Sequence, residues 1–425
     1  MFEYFQNAYW PNLMFINAVT CGATIGDVDD ACRPAQSVPR GSAALTAQAF
    51  NGLSSSTDST TLFKASLRDG FVSVGERLER LSAKDAAARR FVSAGEKLLR
   101  ATALFVTAEM LMDDYFDPAK AAMFDRYRAC FKKAIRYGAP RINQIEFVSI
   151  PFEGITLEGA FLPAQDRSSA MPAVIHMNGG HGSLEWPQLV GTAAALARRG
   201  IASLTFDHPG NGSARYHKGL QYRYDSESFA KAAVDYLETR NDVDRSRIGV
   251  CGASLGGYYA PRAAALEKRL KVCLVLGAFY EYSLAKYFGD IPPSYLDDPA
   301  AEATLPAARV TYLKQMRWAF GATSTRDLFV KMSKFSLNGL MGEIRVPFLI
   351  LHGQNDSQVP LLNADRTIHE AVNSPRAQLI VCGPEDGGDQ HCSLDNIATA
   401  LNILADWAAD ALGVEGRSRV ERSAA

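Results

Sequence analysis

Arg247-Ile-Gly-Val-Cys-Gly-Ala-Ser-Leu-Gly-Gly257 is the run whose reading decides the fold. Ile248–Cys251 is short and apolar, as in a buried strand; Gly252 to Gly256 reads as a tight turn, and Leu255–Glu267 as a helix. Gly-x-Ser-x-Gly between a strand and a helix holds a serine hydroxyl exposed on a strained corner. Side chains at 252 or 256 would strike neighbouring backbone. At the helix N-terminus, free N–H groups and the helix dipole can stabilise a developing negative charge. The competing reading is a helix-capping serine among small residues.

Working outward, apolar runs alternate with helical stretches from about residue 140 onward. The runs are Ile145–Ile150, Ile155–Leu162, Ala173–Met177, Ile201–Phe206, Ile248–Cys251, Val272–Leu276, Phe348–His352 and Gln378–Cys382. Only Glu153–Gly154 separates the first two, which predicts a hairpin. The helical stretches Leu189–Arg199, Ser226–Arg240, Leu255–Glu267, Ala364–Val372 and Leu394–Leu412 punctuate the others. Strand–helix–strand order demands a mostly parallel, eight-stranded sheet with helices on both faces. Residues 279–340 interrupt the alternation and are rich in aromatics, which predicts a helical insertion over the sheet.

Residues 1–139 are helical in pattern: Phe71, Val74, Leu78 and Leu81 recur at three- and four-residue steps, as do Leu98, Ala101, Leu104 and Phe105, and Phe124, Tyr127 and Phe131. The small polar tract over 35–61 reads as a loop. The expected division is therefore an α-helical N-terminal part, 1–139, and an α/β part, 140–425.

Composition narrows the function classes. Of 425 residues, 47% are hydrophobic and 21% charged, and 45 Lys and Arg nearly balance 46 Asp and Glu. This is ordinary globular composition, and it excludes a generally basic nucleic-acid binder. Leu13–Val19 is too short to span a bilayer, and no basic residue precedes Arg33, unlike a secretory leader. Cys21, Cys32, Cys130, Cys251, Cys273, Cys382 and Cys392 are odd in number and lack Cys-x-x-Cys spacing, which argues against a disulfide framework or a zinc site. A cytoplasmic protein with no cofactor and no metal is expected, acting on a small molecule, with neither nucleic acid nor membrane as partner.

A serine nucleophile needs a base, and the base an orienting acid, in the order Ser, Asp or Glu, His along this kind of chain. Phe348-Leu-Ile-Leu-His-Gly-Gln-Asn-Asp356 places Asp356 just beyond a strand, although Asp356 could instead cap a helix starting near Pro360. Of the histidines beyond it, His369 lies in a polar helix, whereas His391 follows the last strand in a glycine- and acid-rich loop. His391 is the expected base. Asp386, Asp389 and Asp395 are alternative acids, and His352 suits a structural hydrogen bond. The oxyanion hole would take the Leu255 N–H and a second N–H, of Gly180 or His181, from Asn178-Gly-Gly-His-Gly182. Phe206-Asp-His-Pro-Gly-Asn-Gly-Ser213 lacks the third glycine of a dinucleotide loop, and no immediate helix is expected after it.

In combination these motifs resemble the α/β-hydrolase superfamily. Phe2-Glu-Tyr-Phe-Gln, Gly22-Ala-Thr-Ile-Gly-Asp27 and Ser93-Ala-Gly-Glu-Lys-Leu-Leu-Arg100 further resemble its subgroup with a helical N-terminal cap, that of the 2,6-dihydroxypseudooxynicotine hydrolases, the fungal heptaketide hydrolases and the FrsA-like proteins. The resemblance implies an α/β-hydrolase fold with that cap over the site, a Ser254–Asp356–His391 triad, and hydrolysis of a carbon–carbon bond beside a ketone in an aromatic or polyketide-like molecule. It also implies an assisting acid, for which Glu281 and Asp290 are nearest, and by analogy a homodimer; Tyr280, among the aromatics of the insertion over Ser254, is expected to line an apolar substrate pocket. A carboxylesterase, lactonase or acyl-transferring cyclase would use the same triad. The reading from another class is a non-catalytic binding protein on this scaffold.

Overall fold

The computed structural model describes residues 2–6, 8–38, 58–112, 114, 116–139, 144–165, 170–177, 179, 189–282, 284, 288–289, 291–305 and 307–414. All eight predicted strands form: β1 Glu146–Phe152, β2 Ile155–Leu162, β3 Met171–Met177, β4 Ala202–Phe206, β5 Val243–Ala253, β6 Cys273–Leu276, β7 Phe348–Gly353 and β8 Ala377–Cys382. They make one sheet in the order β1-β2-β4-β3-β5-β6-β7-β8. β1 and β2 pair antiparallel, as do β2 and β4, and every other pairing is parallel. The β1–β2 hairpin turns on Glu153 and Gly154, both with positive φ (44° and 81°), the hand that matches strand twist.

The parallel strands at the centre are buried along their whole length, which is why they read as continuous apolar runs. Their side chains alternate between two cores: Cys273, Val275, Phe348 and Ile350 face one, Leu274, Leu276, Leu349 and Leu351 the other. The second core is closed by Leu404 and Trp407 of the C-terminal helix Ile397–Ala411.

Helices α1 Tyr9–Thr20, α2 Ile25–Gln36, α3 Asp58–Ala87, α4 Phe91–Met110 and α5 Pro118–Arg136 precede the sheet. They bury Phe71, Val74, Leu78, Leu98, Leu104, Phe105, Phe124, Tyr127 and Phe131 in a third core, as their spacing predicts, while Leu81 stays 39% exposed. The tract read as a loop over 35–61 is helical at both described ends: Ala35 and Gln36 finish α2, and 58–61 open the 30-residue α3. Small polar residues disfavour helix interiors but suit a first turn, and periodicity alone missed that. Residues 39–57 lie outside the described set.

Beyond β3 come α6 Ala194–Ala197, α7 Gly212–Tyr216, α8 Ser226–Glu238 and α9 Gly256–Leu266; α10 Pro299–Glu302, α11 Ala307–Phe320 and α12 Thr325–Ser333 lie in the insertion; α13 Leu362–Glu370 and α14 Ile397–Ala411 complete the chain. Insertion aromatics are mostly core. Phe335 packs 5.3 Å from Tyr258 on α9, and Phe320 lies 5.4 Å from Tyr222. No helix among the described residues is long and apolar enough to cross a membrane.

Two N-terminal motifs pair with each other. Thr24 and Asp27 form a reciprocal cap on α2, and Asp27 also takes two hydrogen bonds from Arg100 of α4, at 2.7 and 2.6 Å. Burial pushes the Asp27 pKa up, but the Arg100 and Thr24 bonds outweigh it and hold it below the ordinary carboxylate value. A depressed folded pKa contributes stability above the unfolded value of about 3.9, lost as pH falls through the folded one. Asp27→Ala is expected to lower the unfolding free energy by about 2–4 kcal/mol at pH 7, the loss of a cap plus a part-buried ion pair. Chemical denaturation checks this, and a variant as stable as the parent contradicts it.

Candidate active site

β5 ends at Ala253, and the chain reverses into α9 within two residues. Gly252 is required here: a Cβ on it would lie 1.9 Å from the Gly256 carbonyl oxygen. Ser254 takes the left-handed conformation, φ 57°, which costs of order 1–3 kcal/mol for a non-glycine residue. Backbone bonds hold it there: Ser254 N–H donates to Leu276 O (3.1 Å), and Gly257 N–H to Ser254 O (2.7 Å).

Asp356 leaves β7 three residues beyond Gly353 and uses its two oxygens differently. Oδ1 accepts the N–H groups of Gln358 (2.8 Å) and Val359 (2.9 Å), so it shapes its own turn as the capping reading expects, while the following helix begins only at Leu362. Oδ2 is left for His391 Nδ1, at 2.8 Å. An ionised carboxylate only accepts, so Nδ1 carries a proton, and in the neutral ring Nε2 is bare. Nε2 lies 2.9 Å from Ser254 Oγ and accepts its hydrogen. Three side chains from the ends of β5, β7 and β8 thus form one chain of hydrogen bonds.

The electrostatics follow from burial. Burial pushes the Asp356 pKa up, but the bond to His391, its charge and the Val359 N–H hold it below the ordinary value. Burial also opposes the charged form of His391, yet the adjacent Cys392 sulfur and Asp356 outweigh it, and the imidazole pKa stands well above the ordinary value. His352 is the opposite case. The Ala278 N–H donates to its Nδ1 (3.1 Å), so Nε2 must carry the proton, given to Val359 O at 3.0 Å. Burial lowers its pKa and keeps it neutral.

The alternative acids shape the histidine loop. Asp386 accepts the Gly383 N–H, Asp389 the Asn355 amide and Asp395 the Gln390 N–H. His369 is exposed and bonds Asp365 O. Sequence reading missed Cys392, which shares the left-handed conformation with Ser393 (φ 52° each) and sits 3.6 Å from His391 Nε2. Its thiol donates to Leu276 O at 3.1 Å. No sequence signal distinguishes it from the six other buried cysteines.

Of the expected oxyanion groups, Leu255 sits at the start of α9, and Gly180 and His181 lie outside the described residues. Gly179 is described, and a Cβ on it would fall 2.1 Å from Ala253 O and 2.6 Å from Leu255 N. Gly179 therefore presses directly on the serine turn. Tyr280 and Glu281 are turned to other partners. The Tyr280 hydroxyl donates to Glu370 (2.7 Å), and Glu281 is half exposed, held by Arg366 (3.3 Å) and Ser336 (3.1 Å). Arg366 also lies 3.9 Å over the Tyr280 ring. Asp290 lies outside the described residues.

The loop after β4 opens a five-residue helix, α7, contrary to expectation. Two of its bonds are internal: Asp207 Oδ2 accepts the Ser213 N–H (2.7 Å), and the Asn211 amide donates to His208 Nε2 (2.9 Å). Among the described residues no group of three or more His, Cys, Asp or Glu is placed to hold a metal ion.

Comparison with known proteins agrees with this architecture. The model of the alpha/beta hydrolase family matches residues 174–420. A protein named hydrolase ORFZ from Pyricularia oryzae is 32% identical over 300 residues, covering 64% of this chain and 67% of its own. The 2,6-dihydropseudooxynicotine hydrolase of Paenarthrobacter nicotinovorans is 29% identical over 346 residues, covering 81% and 84%. The crystal structure of a 2,6-dihydroxy-pseudo-oxynicotine hydrolase superposes with a TM-score of 0.68 at 23% identity, over 93% of this chain and 95% of that one. The chain belongs to the alpha/beta hydrolase family and is a hydrolase.

Proposed function

We propose that Ser254, His391 and Asp356 are the nucleophile, base and orienting acid of a hydrolase that cleaves a carbon–carbon bond beside a ketone in an aromatic or polyketide-like molecule. The observation that carries this reading is the unbroken path from Ser254 Oγ through the His391 ring to Asp356 Oδ2. The relative named for 2,6-dihydropseudooxynicotine supports the choice of an aromatic small molecule.

His391 Nε2 takes the Ser254 proton as Oγ bonds to the ketone carbon. The carbonyl electron pair moves onto oxygen, where the Leu255 N–H and one from the 180–181 segment hold it. Collapse restores the carbonyl and breaks the bond to the neighbouring carbon, which leaves with the electron pair and takes the proton from His391. Such a leaving group must be delocalised, as in a β-diketone or an electron-rich aryl ketone. Water, deprotonated by His391, then adds to the acyl carbon, the bond to Ser254 Oγ breaks as Oγ takes that proton back from His391, and a carboxylic acid leaves. Only the neutral ring can start this sequence.

Ser254→Ala and His391→Ala are each expected to lower kcat/KM by about a thousandfold or more on an acyl-phloroglucinol or a β-diketone. Rapid turnover of p-nitrophenyl acetate with no ketone cleavage would make the protein an esterase on the same residues. The acid limb of the kcat/KM profile should lie above about 6.5, because protonated His391 is inactive and its pKa is raised. A profile with no acid limb contradicts the assignment of the base. Gly179→Ala should cost about a hundredfold in rate with the fold retained, since its Cβ would displace the Leu255 N–H.

A further inference from the structure

A second buried polar cluster lies where the N-terminal helices meet the segment after β4. Glu109, at the end of α4, is fully buried. Its Oε1 accepts the Tyr216 hydroxyl at 2.5 Å and the Lys120 ammonium at 2.9 Å. Lys120 also donates to the carbonyls of Glu109 (2.7 Å) and Met112 (3.0 Å), so its three hydrogens are all used. Glu109 Oε2 is buried and has no hydrogen-bond partner among the described residues. A carboxylate oxygen in that state wants a donor.

The surroundings define which donor. Trp318 carries the Arg215 guanidinium 3.7 Å over one face, and the rings of Phe116 and Tyr216 stand 5.9 and 6.4 Å from it. Aromatic walls suit an aryl ring. Lys120 and Arg215 already bring positive charge, so a cationic ligand is opposed and a neutral O–H donor favoured. α7 leaves β4 at the carboxyl edge of the sheet, the edge on which β5 delivers Ser254, with β3 between them. At about 4.8 Å between strands, β4 and β5 themselves run roughly 10 Å apart, so both connections leave the same edge of the sheet two strands from each other.

We propose that Glu109 is a substrate-binding residue: its Oε2 accepts a phenolic hydroxyl on an aryl ketone whose ring lies against Trp318 and whose carbonyl reaches Ser254. This specifies the hydrolase reading above as one of hydroxyaryl ketones. The test is binding rather than turnover, so the two readings fail separately. Isovaleryl-phloroglucinol and its trimethyl ether are titrated calorimetrically into the full Ser254→Ala chain, which cannot consume them. The phenol should bind at least tenfold more tightly than the ether. Adding Glu109→Gln should weaken the phenol by about 10- to 100-fold, as for a lost hydrogen bond to a charged group, and the ether by less than about threefold. Tyr216→Phe keeps the Lys120 pair and releases one restraint on Glu109, and should weaken the phenol by about 3- to 10-fold. Equal binding of phenol and ether, no binding of the phenol, or equal losses for both in Glu109→Gln would overturn the proposal. If Glu109→Gln does not fold, unchanged phenol binding in Tyr216→Phe overturns it. Cleavage of the bound ketone by the parent chain reports on Ser254 alone.

Discussion

One carbonyl oxygen, that of Leu276 at the end of β6, accepts both the Ser254 N–H and the Cys392 S–H. Each donor belongs to a residue in the left-handed conformation, on opposite sides of the Ser254–His391 bond. Strain of this kind persists only where surrounding contacts over-determine it. β6 supplies that rigidity: its four residues are buried and paired with a parallel strand on each side. The distance between the serine hydroxyl and the imidazole is thus set through a single strand between β5 and β7, and a shift of β6 would move both partners together.

Asp356 stands between two imidazoles and couples to them unequally. Its Oδ2 is 2.8 Å from His391 Nδ1 and 3.7 Å from His352 Nε2. Protonating His352 would break the bond from the Ala278 N–H, because that bond occupies the only bare ring nitrogen. His352 is therefore locked as a neutral prop for the turn at Val359, and the charge of Asp356 acts on His391. This division lets two histidines sit beside one carboxylate without competing for it.

The sheet was legible because parallel strands buried on both faces have to be apolar throughout, and all eight runs, from Ile145–Ile150 to Gln378–Cys382, pair. Gly252-Ala-Ser-Leu-Gly256 carried its own geometry, since a glycine meeting a carbonyl at 1.9 Å admits no alternative. What stayed hidden depends on tertiary contact. The contacts of Arg366 with Tyr280 and Glu281 come from a helix some 85 positions later in the chain than Glu281, a separation that no local pattern encodes. The helical start at 58–61 and the short helix after Gly212 carry no apolar periodicity that could announce them. Likewise the motifs ending at Asp27 and Arg100 look unrelated in sequence until the fold makes them partners.

The N-terminal helices and the sheet share a core, which bears on how a substrate can enter. Ala160 and Leu162 of β2, Ala193 and Ala197 pack into the same apolar cluster as Phe105, Leu104 and Phe131. α1 packs on the segment 391–396 that begins with His391, and Leu394 of that segment joins the helical core. Polar links reinforce the seam: Tyr216 to Glu109, His217 to Asp125 at 2.9 Å and Arg128 to Glu158 at 2.5 Å. Relative motion is the default for units joined by a small polar interface, and it is suppressed where an apolar core is continuous. The contact of α1 with 391–396 and the burial of Leu394 in the helical core brace the histidine loop, with its consecutive left-handed residues, against the N-terminal helices.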